Sequence, residues 1–166
     1  MSTETADSKT WDVLATVEKW HRAADRKAGL PPDEVVEKKD NLLLNEGITV
    51  LLNLLIGESA TAFNNSNAYI GVGTTTTAAA AGQTGLQATG SDEDYQGMES
   101  SYPQVSGQTV TFRSIWASGE GNFAWNEWTI ANGSSDSATN LNRKVAALGT
   151  KASGSEWTLT VAITVS

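Results

Sequence analysis

Two glutamates close to aromatic residues are the first candidates for chemistry. Glu120 precedes, and Glu127 lies within, the segment Asn122–Trp128, which contains one Phe and two Trp residues. Paired carboxylates hydrolyse glycosidic bonds, and aromatic rings stack on sugars. The simpler interpretation makes Glu120 a turn residue and Glu127 a strand residue with a charged partner such as Arg113 or Arg143. We favour this interpretation, because a lone acidic pair arises easily by chance.

The single histidine, His21, is the second candidate. The chain has no cysteine, so disulfides, Cys-based metal sites and a Cys-His dyad are excluded. A Ser-His-Asp triad would require His21, which follows Trp20 in a charged segment and is interpreted as a solvated side chain. Because groups that can be tuned for catalysis are few, the sequence predicts a protein that is not an enzyme.

Two short motifs resemble ligand sites only in part. The acidic run Asp92–Asp94 offers the oxygen ligands that Ca²⁺ prefers, but it lacks the spacing of an EF-hand loop. The segment Gly71–Gly73 lacks the third glycine and the following helix of a dinucleotide fingerprint. We interpret the acids as a solvated loop and the glycines as the end of a strand. The sequence therefore predicts neither a metal nor a cofactor.

Charge and hydropathy exclude further classes of function. The 166 residues carry a formal net charge of −8, and an acidic surface without a basic cluster argues against nucleic-acid binding. The longest apolar stretch, Ile48–Ile56, is shorter than the ~20 residues that a membrane span needs. The polar N-terminus has neither the basic start nor the apolar run of a secretory signal. We therefore expect no contact with nucleic acid or membrane.

Apolar spacing predicts a helix over residues 10–28, which Gly29 and the following prolines end. Its stripe consists of four apolar residues at three-residue spacing: Trp11, Leu14, Val17 and Trp20. Since a helix of this length is marginal alone in water, the stripe should pack on the β domain, on a neighbouring copy or on a partner. Residues 1–39 are interpreted as a charged helical N-terminal arm.

A second, more apolar helix is predicted over residues 41–56, with Gly57 as its C-terminal stop. Its stripe is formed by Leu44, Ile48, Leu51 or Leu52, and Leu55. Further leucines and Ile56 widen this apolar face. We therefore expect the second helix to be buried on more than one side.

After Gly57 the apolar period changes to two, which predicts strands. The predicted strands are residues 67–74, 108–118, 122–131, 141–148 and 156–166. Residues 75–93 have no period and are expected to form a long loop. Strands joined by Gly, Ser and Asn turns predict a mainly β fold. We expect an antiparallel β-sandwich or small barrel over residues 40–166, with one buried helix.

Five stretches of the sequence, read together in their order along the chain, are informative about the class of protein. They are Asn41–Leu55 (NLLLNEGITVLLNLL), Ala62–Gly73 (AFNNSNAYIGVG), Gln108–Phe112 (QTVTF), Asn122–Trp128 (NFAWNEW) and Leu141–Val165 (LNRKVAALGTKASGSEWTLTVAITV). Read together, they resemble a family of small virion proteins of tailed bacteriophages. The resemblance implies a non-catalytic, β-rich component of the particle, labelled in different members as head decoration protein or as minor tail or fibre protein. It carries over no catalytic residue.

Of these two locations, head and tail, the predicted arm favours the head, where the chain would decorate the capsid. A charged amphipathic segment can lie along a neighbouring subunit, so the arm stripe is expected to contact the major capsid protein. The chain would then be made in the host cytoplasm, self-associate, and stabilise the shell from its outer surface. The alternative is a minor tail or tail-fibre protein that contacts other tail proteins or a host glycan. A glycan reader should expose its Trp residues, whereas a cement protein should bury them.

Overall fold

The structure is a computed structural model that describes residues 10–166. Within this part of the chain, ten strands and two helices form. The strands are β1 (Trp11–Trp20), β2 (Glu34–Lys39), β3 (Leu42–Leu43), β4 (Tyr69–Gly73), β5 (Glu93–Gly97), β6 (Gln104–Ser106), β7 (Thr109–Trp116), β8 (Ala124–Ala131), β9 (Asn142–Thr150) and β10 (Glu156–Val165). The helices are α1 (Ala23–Lys27) and α2 (Asn45–Ile56), and a 3₁₀ turn spans Gly90–Asp92.

The strands form two antiparallel five-stranded sheets, with a shared core of buried residues from both. The first sheet has the order β2-β1-β10-β7-β6, and the second has the order β3-β9-β8-β4-β5. The predicted mainly β fold is therefore confirmed, and the arrangement is that of a sandwich. Each prediction of a strand at residues 67–74, 108–118, 122–131, 141–148 and 156–166 overlaps an observed strand.

Strand β10 lies at the centre of the first sheet, and from Leu159 onward its side chains alternate between buried and half-buried. Leu159, Val161 and Ile163 are buried and alternate with threonines and alanine, as expected for a strand with one face on the core. Antiparallel pairing with β7 and β1 covers both of its edges. Leu159 lies opposite Ser114 of β7 and Val17 of β1.

Three tryptophans join the two sheets. Trp125 of β8 lies in the second sheet, and its ring meets Trp116 of β7 and Trp157 of β10 in the first sheet. The ring centroids are 4.7 and 4.9 Å apart, at interplanar angles of 62° and 71°. This edge-to-face geometry is the one that aromatic quadrupoles prefer. The Trp125 indole also donates a 2.9 Å hydrogen bond to the Gly121 carbonyl, so its buried polar atom is satisfied.

The helix predicted over residues 10–28 is wrong for most of its length. Residues 11–20 form β1, which pairs in register with β10 and β2, and only α1 is helical in this region. Every second side chain, at Val13, Ala15 and Val17, points into the core and is almost fully buried. The two-residue apolar period of a strand therefore determines the structure here, rather than the three-residue spacing of the predicted helix. The described part of the arm thus belongs to the first sheet rather than to a helical arm. Residues 1–9 of the predicted arm lie outside the described residues.

The predicted second helix is found as α2, and its predicted stop is also confirmed. Gly57 adopts a left-handed backbone with φ of 76° and donates its N–H to Leu54, while the Glu58 N–H reaches Asn53. Only glycine adopts this conformation at low cost, which explains why the helix ends here. The expectation that α2 is buried is wrong, because Gly47 is its one buried residue. Neither helix of residues 10–166 has the length and apolar character needed to cross a membrane.

A charge introduced into β1 distinguishes the strand from the predicted helix. Val13→Asp places an unpaired carboxylate in the core and should lower the free energy of unfolding by more than about 4 kcal/mol. Leu14→Asp lies on the opposite face and should cost about 1 to 2 kcal/mol. Urea denaturation measures both values. A larger loss for Leu14→Asp than for Val13→Asp would contradict the strand.

Candidate functional site

Helix α2 is held on the sandwich by its first turn. Leu44 is buried and donates its backbone N–H to the Leu141 carbonyl, and Glu46 accepts a 2.7 Å hydrogen bond from the Asn140 N–H. Gly47 lies so close to Leu141 that a Cβ atom there would overlap the Leu141 carbonyl. Only glycine allows this approach, and it fixes the helix against the start of β9.

The opposite side of α2 carries an apolar stripe that faces solvent. Its members lie at positions i, i+4, i+7 and i+8, which share one helix face. This outer α2 face consists of Ile48, Leu52, Leu55 and Ile56, with exposed fractions of 39, 57, 80 and 73%. Leu54, on the inner side, is also 37% exposed. Exposure is therefore highest near the end of the helix, at Leu55 and Ile56.

Such a face is unusual for a helix on a protein surface, where polar residues normally cover the outer side. Between Glu46 and Glu58 the sequence contains no charged residue, so no charged side chain from this stretch borders the stripe. Burying one Leu or Ile side chain contributes roughly 1.5–3 kcal/mol. Contiguous exposed apolar residues of this kind mark protein-interaction sites. The outer α2 face is the strongest candidate functional site in residues 10–166.

The arm stripe predicted from the sequence does not form one face of a helix, because its residues lie in strand β1. Val17 is fully buried between the sheets, and Trp20 is 6% exposed and donates its indole N–H to the Leu30 carbonyl at 2.8 Å. Trp11 packs partly buried against the core. Leu14 points to the outer side of β1, because side chains alternate along a strand. These four residues are therefore divided between two faces of β1 and do not form one helical stripe, and the partner contact predicted for them stays a prediction.

The tryptophans form no exposed platform. Five of the six are at most 6% exposed, and Trp11 is half-buried. Buried rings cannot stack on a sugar, so this feature of a glycan reader is missing from residues 10–166. The indoles instead fill the core, where large aromatic side chains contribute most to stability.

Glu127 and Glu120 have separate structural roles. The Glu127 carboxylate is fully buried, lies 2.6 Å from Arg143 Nη2, and accepts a 2.8 Å hydrogen bond from the Ala88 N–H. Arg143 continues to the Thr77 carbonyl at 2.9 Å, so the ion pair fastens the loop between β4 and β5 to the second sheet. Glu120 accepts a hydrogen bond from Ala117 in a turn. The interpretation of Glu127 as a strand residue paired with Arg143 is confirmed.

Removing the charge of Glu127 should therefore destabilise the fold. Glu127→Gln leaves Arg143 as an uncompensated buried charge, and we expect a loss of about 3–5 kcal/mol in the free energy of unfolding. Glu120→Gln, in the partly exposed turn, is the matched control and should change this value by less than about 1 kcal/mol. Guanidinium denaturation measures both. Equal effects of the two variants would contradict the structural role of the buried pair.

The single histidine lies at the surface of the molecule. The His21 side chain is 69% exposed and lies 3.6 Å from Asp33, in accord with its interpretation as a solvated residue. An open pocket of about 320 Å³ includes His21, but its Lys19 is already paired with Glu34 at 2.9 Å and lies over the Trp157 ring. Within residues 10–166, no group of three or more His, Cys, Asp or Glu side chains is placed to hold a metal ion.

The acidic run contains one carboxyl group with a shifted pKa. Burial, followed by the hydrogen bond and negative charge of Asp136, raises the pKa of Glu93 to about 7. Tyr95 donates a 2.8 Å hydrogen bond to the same Asp136 side chain, and burial raises the pKa of the Tyr95 phenol well above its usual range. These contacts connect β5 to the turn after β8. The expected solvated loop is therefore partly a strand.

Glu93 should make stability depend on pH. The unfolded chain ionises this carboxyl near its ordinary value of 4.5, whereas the folded chain does so near 7. Between these values the folded state binds more protons, so the free energy of unfolding should fall as pH rises from about 4.5 to 7 and then level off. Comparing thermal melts of wild type and Glu93→Gln over this range should show a shallower decline in the variant. Asp92→Asn, at the exposed neighbour, should keep the decline, and an unchanged decline in Glu93→Gln would contradict this account.

Comparison of the chain with protein-family models, with curated proteins and with solved structures found no match. The resemblance to small phage virion proteins therefore stays a prediction from the five stretches of the sequence. The fold and the site together define a β-sandwich that carries an exposed apolar helix. The sequence identified this helix by its period, but it gave no signal that the apolar face would point away from the sandwich.

Proposed function

We propose that this chain is a non-enzymatic structural protein of a tailed-bacteriophage virion, and that it decorates the capsid by binding the shell of major capsid protein. The observation that carries the proposal is the outer α2 face, with its four exposed apolar side chains. A surface of this kind suits association with another protein. The resemblance of the five sequence stretches to small virion proteins supplies the class of partner.

Decoration requires that the chain bind the assembled shell in preference to unassembled subunits, and it requires no catalysis. A ligand that binds only the assembled shell stabilises it by mass action, by about 2.7 kcal/mol at a concentration 100 times its Kd. The docking helix is already folded in the free chain, which lowers the ordering cost of association. Many copies on a repeating lattice multiply a modest gain at each site. The chain thus needs no catalytic group for this function.

The burial of the tryptophans favours decoration over a glycan-reading role. Of the two virion locations that the resemblance implies, a fibre that reads a glycan is expected to expose aromatic rings that stack on the sugar. The described chain instead places its Trp residues in the core and exposes aliphatic residues on α2. Aliphatic side chains suit a groove on a protein partner rather than a carbohydrate. The outer surface of the capsid is the proposed location, and self-association remains a prediction.

Addition of the purified chain to shells assembled without it tests the proposal. We expect saturable binding, copies at regular lattice positions in cryo-electron microscopy, and a higher melting temperature of the shell. Shells that already carry the chain are the control and should bind no more. A few copies at the tail or portal vertex of the intact particle would move the assignment to a tail protein. Absence of binding to the shell would overturn capsid decoration.

A further inference from the structure

We infer that the C-terminal half of α2 inserts its apolar side chains into an apolar groove of the major capsid protein, and that the rim of this groove carries Lys or Arg. The inference rests on the proposed function and adds the chemistry of the partner surface. Its basis is the exposed fraction of the side chains along α2 and the charge of the residues within and after this helix.

The exposure gradient identifies the inserted end. Ile48, near the anchored first turn, is 39% exposed, whereas Leu55 and Ile56 are 80% and 73% exposed. Side chains at i, i+4 and i+7 on an exposed helix face are the pattern that grooves recognise in helix-in-groove complexes. Because binding energy concentrates in the side chains that become fully desolvated, Leu55 and Ile56 should contribute most.

The charge distribution identifies the rim of the groove. No Lys or Arg occurs between Lys39 and Arg113, a span that contains α2 and seven acidic residues. At the end of α2, Glu58 is exposed and adds to the negative partial charge of the helix C-terminus. The last turn contains no basic residue to neutralise it. A partner surface complementary to this end is therefore positively charged.

The same charges disfavour a second copy of the chain as the occupant. Two α2 helices packed face to face in antiparallel orientation would place Glu58 of each copy near Glu46 of the other. No basic residue of α2 itself would compensate this repulsion. Like charges brought together at an interface lower its affinity. The groove is accordingly assigned to a different, basic protein surface.

Measuring the affinity of the full chain for capsid shells tests whether the apolar side chains of α2 enter a groove. The double variant Leu55→Ala and Ile56→Ala should lower the affinity by at least ~100-fold, since each truncated side chain contributes ~10-fold or more. Alanine preserves helix propensity, and both sites are exposed, so the melting temperature of the free chain should not change. The matched control is Val105→Ala on β6, which removes an equally exposed apolar side chain (74%) elsewhere and should bind like wild type.

The dependence of shell affinity on salt concentration tests whether the rim of the groove is basic. Glu58→Gln should weaken binding several-fold at low ionic strength and reduce the dependence of affinity on salt, because surface charges are screened by salt. Glu37→Gln, an exposed carboxyl on β2, is the control and should leave both unchanged. Tighter binding by Glu58→Lys would overturn the assignment of a basic rim.

The outcomes separate this inference from the proposed function. If wild type binds shells and the Leu55→Ala, Ile56→Ala variant binds equally well, the groove is wrong while decoration stands. If wild type does not bind shells, the proposed function fails first and the capsid groove fails with it. Dimerisation of the free chain in sedimentation that the double variant abolishes would assign the face to a second copy and overturn the inference.

Discussion

The contact of Trp125 with Trp116 and Trp157 is the interaction on which the rest of the structure depends. These rings come from β8, β7 and β10, so they join strands of both sheets at one point of the core. Around them, inward side chains of the sandwich fill the remaining space. Helix α2 adds to this core only through its inner side, where its first turn is anchored and Leu51 packs partly buried against the core. The outer α2 face takes no part in this core.

Patterns with a period of two allowed the interior strands to be predicted from the sequence. β10 from Leu159 onward and β7 from Thr111 onward alternate between buried and half-buried side chains, because one face of each strand lies on the core. β1 was missed, since its residues at three-residue spacing imitate a helical stripe while Val13, Ala15 and Val17 carry a competing strand signal. The edge strands β2 and β6 were missed for another reason. Their side chains are mostly exposed, so burial imposes no pattern on them.

For the candidate site, too, the features encoded in the local sequence could be predicted, whereas those that depend on tertiary packing could not. The sequence located α2 and its end at Gly57, because apolar period and a left-handed glycine are local signals. Which face is covered depends on the strands that surround the helix, and the sequence contains no direct record of that. Similarly, Glu127 was expected to pair with Arg113 or Arg143. The choice depends on the β8–β9 register, which brings Glu127 opposite Val145, close to Arg143.

Hydrogen–deuterium exchange of the free and the shell-bound chain tests the central claim, that the outer α2 face is open in the free protein and covered in the particle. In the free chain, we expect the amides of residues 52–58 to exchange much faster than those of β10, which lies at the centre of its sheet. On binding to the shell, residues 52–58 should become protected while β10 stays unchanged. Equally fast exchange of residues 52–58 in both states would contradict the account.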